Sequence, residues 1–166
     1  GDAMSANVEI KFAEGRLYAE GRLAEYMKLA TGGTISLAVS RILESAQALM
    51  YGATTSDRTV SGKPVSGLRY TAKDAAKYVG ISFYAPDMVD SSPKYPCMFV
   101  PKALFGPPSY SYATKGQNLQ FSTPTTTGEF LATDDADELL IDTATVDTIE
   151  EAKAWCDAVL AATEVG

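Results

Sequence analysis

Along most of this chain apolar side chains recur at every second position, in short runs closed by glycine, proline or polar clusters. That period places successive side chains on opposite faces and so dictates strands. Asn7–Ala13 sets Val8, Ile10 and Phe12 against Glu9 and Lys11, with Glu14-Gly15 as a turn. Arg16–Ala19 and Arg22–Leu29 read as extended segments around a Glu20-Gly21 turn, although Leu23, Ala24, Tyr26, Met27 and Ala30 also fit a short helix. Gly32-Gly33 is expected to break the chain before Thr34–Val39, where Ile35, Leu37 and Val39 alternate with Thr34, Ser36 and Ala38. Tyr78–Tyr84 and the longer Lys94–Phe105 follow the same rule. In the latter, Pro96 and Pro101 lack ladder donors and favour a bulge or an edge. Asn118–Ser122 and Thr126–Ala132 predict a hairpin turned at Pro124, and Leu139–Asp142 is a further short strand. Ala53–Pro64 reads as a polar loop or loose hairpin, and Ala85–Pro93 as a turn region.

Two segments switch to helical spacing. Ser40 is placed to cap a helix over Arg41–Tyr51, with Ile42, Leu43, Ala46, Leu49 and Met50 as its stripe and Gly52 beyond its end. Thr148-Ile149-Glu150-Glu151 forms a capping box, in which the threonine and the second glutamate satisfy each other's backbone donors. Ile149, Ala152, Trp155, Cys156, Val159 and Leu160 then share one face.

Short strands with two single-faced helices predict an α+β fold, mainly antiparallel and sandwich- or barrel-like, with the amphipathic helices packed on sheet. A chain of 166 residues reads as one domain over 1–166. It buries roughly 70% of its unfolded surface and needs no metal or disulfide to fold. Cys97 and Cys156 lack metal-ligand spacing and read as buried free thiols, with a disulfide as the alternative.

Composition narrows the function. The chain has no histidine, which removes the commonest general base, zinc ligand and near-neutral switch. No Gly-x-Ser-x-Gly elbow is present, and Lys115 sits outside any phosphate-loop pattern. The reading is therefore non-enzymatic, without cofactor or resident metal. Asp134, Asp135, Asp137 and Glu138 lack calcium-loop spacing and read as a solvated turn. A net charge of −7 disfavours phosphate contacts with nucleic acid. No run reaches the roughly 18 apolar residues of a membrane helix.

What remains is a set of neutral polar strand faces. Ser36 lies on one. Asn118, Gln120, Ser122, Thr125 and Thr127 lie on another. In an isolated sheet these are ordinary solvent positions. In a ring of subunits they would line a wet channel or a subunit contact.

The order and spacing of several stretches resemble the major tail protein family, which builds the tail tube of long, non-contractile-tailed phages. These stretches are LYAEGRLAE (Leu17–Glu25), GGTISLAVSRILES (Gly32–Ser45), AAKYVGISFY (Ala75–Tyr84), YATKGQNLQFSTPTTTGEF (Tyr112–Phe130) and the capped TIEEAKAWCDAVL (Thr148–Leu160). The resemblance covers most of the chain. It implies a helix-flanked β-sandwich whose copies close into rings, usually hexameric, that stack as a tube. It implies a virion location after synthesis in the bacterial host cytoplasm, from a phage or prophage. The implied partners are further copies, the tape-measure protein and other tail proteins, with DNA passing through unbound. Family members usually carry a segment ahead of the stretch aligned at Ala3–Ala19, which this sequence is expected to lack. Two alternatives stand beside it. One is the related ring-forming tube protein of type VI secretion. The other is a carbohydrate- or surface-binding β-sandwich using Tyr110 and Tyr112.

Overall fold

A computed structural model describes residues 3–19, 22–39, 42–109 and 124–163, with backbone alone at 3–4, 17–19, 22–26 and 163. The fold is α+β and mostly antiparallel sheet. In chain order the elements are β1 (Ala3–Ala19), β2 (Arg22–Val39), α1 (Glu44–Tyr51), β3 (Thr54–Val60), β4 (Lys63–Arg69), β5 (Val79–Tyr84), β6 (Asp87–Val89), β7 (Ser92–Phe105), β8 (Thr125–Phe130), β9 (Asp142–Val146) and α2 (Ile149–Thr163). Among the described residues, strands pair in the order β1-β2-β8-β7-β5, with β6 and β9 also on β7, while β3 and β4 pair with each other as a separate two-stranded sheet. The chain divides into two compact units.

The first unit comprises residues 1–9, 34–78 and 104–129. Its core follows from alternation. Ile35 and Leu37 of β2 and Phe105 of β7 are buried, and β8 buries Thr126 and Gly128 between exposed Thr125, Thr127 and Glu129. Thr126 is a buried polar residue, and its hydroxyl is fully engaged. It accepts from the Tyr51 hydroxyl at 2.9 Å and donates to the Gly106 carbonyl at 3.1 Å. Thr126→Val keeps the shape but removes the acceptor of the buried Tyr51 hydroxyl and the donor to the Gly106 carbonyl. It should destabilise the protein by about 2 kcal/mol, measured as a shift in the urea midpoint.

The first helix is shorter than its sequence pattern. Leu43 is extended at ψ 144°, so α1 begins at Glu44 with no side-chain cap; Ser40 lies outside the described residues. Leu43 and Leu49 of the expected stripe are exposed, and the helix buries Tyr51 instead. The reason is polar. The Tyr51 hydroxyl must reach Thr126, and its ring lies 6.3 Å from that of Tyr70, whose hydroxyl donates to Gln47 at 2.6 Å. Gly52 ends the helix in the left-handed region, as its position predicts.

The second unit comprises residues 10–33, 79–103 and 130–166. Here β1 runs straight through Glu14-Gly15 and β2 straight through Gly32-Gly33, where a turn and a break were expected. Both segments are strand, so the helical option at Leu23–Ala30 falls. Gly32 serves close approach and not chain reversal: a Cβ there would overlap the Phe130 carbonyl oxygen.

Strand β7 is central. Its Cys97–Phe99 segment pairs with β5 on one side and β9 on the other. Of the two roles open to its prolines, the bulge is the one realised at Pro101, where the β5–β7 register shifts. Cys97, Phe99, Val100 and Ala103 are buried there. The expected turn region at Ala85–Pro93 contains β6, which pairs back on β7 around Asp90 and Ser91, both at positive φ. The Leu139–Asp142 strand is displaced to Asp142–Val146.

Helix α2 begins as its sequence specifies. The Glu151 amide donates to the Thr148 hydroxyl, and the Thr148 amide donates to the Glu151 carboxylate, each at 3.2 Å. It packs on β5 and β9 through buried Ala152 and Cys156, while Ile149 and Leu160 at the margins of its stripe are exposed.

Candidate self-assembly surfaces

Of the polar strand positions singled out in the sequence, the first unit brings two together. Ser36 of β2 and Thr127 of β8 lie with their hydroxyls 3.3 Å apart. Thr125 stands two residues earlier on the same exposed side of β8. This face follows from the core beneath it: because Ile35, Leu37, Thr126 and Gly128 point inward, Thr34, Ser36, Thr125 and Thr127 point outward. The result is a hydroxyl surface, continued along β8 by the exposed Glu129, on a chain of net charge −7. Asn118, Gln120 and Ser122 lie outside the described residues, as do Tyr110 and Tyr112.

Of the two readings of Ala53–Pro64, polar loop or loose hairpin, the hairpin is realised, and it is regular and runs on to Arg69. Seven residues of β3 pair with seven of β4, from Thr54↔Arg69 to Val60↔Lys63. Ser61 and Gly62 make a two-residue turn with φ of 51° and 77°, the left-handed pair that matches strand twist. Ser66 donates to Asp57 at 2.6 Å across the strands. The hairpin is almost wholly exposed, including Val60 and Val65. It carries Arg58, Lys63 and Arg69 against Asp57 alone, so it is basic within an acidic chain. A two-stranded ribbon is marginal in water by itself.

In the second unit β1 and β2 form a long ribbon, and among the described residues β1 is the outermost strand of the sheet. Its apolar side chains are not covered. Ile10, Phe12, Met27 and Leu29 are 40–64% exposed. The Lys28 ammonium sits 4.4 Å from the centre of the Phe12 ring, a cation–π contact on the exposed ribbon. An edge of this length with exposed apolar groups is a template for pairing with another chain. The sequence marked Val8, Ile10 and Phe12 as apolar. It gave no sign that Ile10 and Phe12 face solvent, because alternation alone cannot say which side is covered.

The acidic turn of the second unit is solvated, as expected. Lys102 pairs with Asp134 at 2.5 Å, and Thr133 donates to Asp135 at 2.6 Å. Beside it Phe99, Pro101, Leu139, Val159, Asp135 and Asp142 line a cleft of about 550 Å³. Among the described residues no cluster of carboxylates or thiols has the arrangement of a metal site. No protein-family model matches the sequence, and no curated protein matches it.

Proposed function

We propose that this chain is a non-catalytic structural subunit that pairs with copies of itself into rings, and that the rings stack as the tail tube of a long, non-contractile-tailed phage. The observation that carries the reading is the β1–β2 ribbon, a long sheet edge that leaves Ile10, Phe12, Met27 and Leu29 in solvent. A neighbouring copy paired along β1 would extend the ladder and cover the exposed side chains beside that edge. The projecting basic β3–β4 hairpin supplies a second contact, attracted to the acidic surface of another copy. The ordered sequence resemblance to tail tube subunits supports the same assignment.

In this reading the hydroxyl face of Ser36, Thr125 and Thr127 lines the channel. Hydroxyl donors and acceptors keep water at the wall, and neither Ser36, Thr125 and Thr127 nor the exposed Glu129 beside them is a cation that would hold phosphates, so DNA slides without sticking. The test has two parts. Sedimentation velocity at rising concentration should resolve a discrete multi-subunit boundary; a single monomer boundary throughout would overturn the assembly. Particles of Thr127→Lys should co-sediment with duplex DNA at low salt, whereas wild-type particles leave it in solution. Equal behaviour of the two would overturn the channel assignment.

A further inference from the structure

The second unit holds a thiol pair with no part in the assembly surfaces. Cys97 sits in the middle of β7, opposite Tyr84 of β5 and Ala144 of β9. Helix α2 packs on both of those strands and therefore crosses β7 at this point. Its middle is pinned there, since the Ser82 hydroxyl of β5 donates to the Cys156 carbonyl at 3.3 Å. Ser82 and Tyr84 share a parity, as do their opposite numbers Phe99 and Cys97, so one sheet face presents Cys97 towards the helix. Cys156 is one of the buried residues on the helix side that meets it. Both cysteines are free, with Cys97 2% and Cys156 8% exposed.

We propose that Cys97 and Cys156 are a dithiol that closes to an intramolecular disulfide when the protein leaves a reducing compartment, locking α2 onto the sheet. Burial, and then the neighbouring Cys156 thiol, push the Cys97 thiol above its ordinary range, so it stays protonated and inert in the cytosol. The oxidant is a peroxide, small enough to reach the edge of the pair. Cys156, the more exposed, gives up an electron pair to one peroxide oxygen and becomes a sulfenic acid, releasing water. The Cys97 sulfur then attacks the Cys156 sulfur as its proton passes to the departing hydroxyl, the S–O bond breaks, and a second water leaves. The balance is two thiols and one hydrogen peroxide to one disulfide and two waters. The value of such a lock outside the cell rests on the tail tube reading. A virion is assembled in reducing cytoplasm and persists in an oxidising medium.

The pair can be tested on the monomer, so the result is independent of whether tubes form. After hydrogen peroxide treatment, the intact mass should fall by two hydrogen atoms. Peptide mapping should join the Cys97 and Cys156 peptides. The thermal midpoint should rise by about 10 °C, the shift expected when a long loop is closed in a chain of this size. Dithiothreitol should reverse all three, and Cys156→Ser should show none of them. Oxygen adducts without the cross-link, or a cross-link between separate chains, would overturn the pairing. A mapped cross-link with an unchanged midpoint would overturn the lock.

Discussion

Phe12→Asp combined with Leu29→Asp should abolish self-assembly while leaving the monomer as stable as the wild type. Both side chains lie on the exposed β1–β2 ribbon, Phe12 47% and Leu29 64% accessible, so neither supports the core of its own chain. Surface replacements of this kind change folding stability by about 0.5 kcal/mol or less. At a subunit contact the effect is far larger. Burying a leucine or phenylalanine fully is worth roughly 1.5–3 kcal/mol, and a carboxylate in its place must be stripped of water or repel its neighbour. The loss is repeated at every subunit boundary of a ring, so partial assembly is not expected. Circular dichroism melts should superimpose on those of the wild type, and sedimentation should show monomer alone. Assembly of the double variant at wild-type concentrations would remove the ribbon from the interface.

The opposite result is expected for Gly128→Val in β8. A Cβ at this position would overlap the Leu104 carbonyl oxygen of β7 and press on the Phe105 ring. Neither can yield cheaply, since one is backbone and the other is fully buried. Strand β8 must therefore shift away from β7. That movement strains the Gly106–Thr127 backbone bond of 3.1 Å and the Thr126 hydroxyl bridge to Gly106. Overpacking costs about 1–3 kcal/mol, and loss of a buried hydrogen-bonded link adds about 1–3 kcal/mol. The variant should unfold several degrees to tens of degrees below the wild type. An unchanged thermal midpoint would show that β7 and β8 have slack at this crossing.

How much of this was legible beforehand depends on what each residue has to satisfy. The period-two runs located the core positions of β2, β7 and β8, because burial on one face leaves a direct mark on side-chain polarity. The Thr148 and Glu151 pair located the start of α2 because both partners of a cap lie within four residues. Longer-range requirements left no local trace. Leu43 and Leu49 belong to a good helical stripe, yet α1 turns Tyr51 inward because its hydroxyl pairs with Thr126, distant in sequence. Gly32-Gly33 has the composition of a break and serves a close strand crossing instead. The Ser61-Gly62 turn was readable as a hairpin signal, but the polar β3 and β4 lack the alternation that would have marked them as strands, because neither face is covered. Of the candidate site, Ser36, Thr125 and Thr127 were recoverable as outward positions once Ile35, Leu37 and Thr126 were inward. The apolar ribbon was hidden, since exposed and buried alternation read alike.

The central claim is that copies of this chain close around a hollow axis. Negative-stain electron microscopy of the protein at high concentration tests it most directly. The account predicts rings or stacked tubes of uniform diameter with a stain-filled centre, lost in the Phe12 and Leu29 double variant. Uniform small particles without a central hole, at every concentration and equally in both proteins, would contradict it.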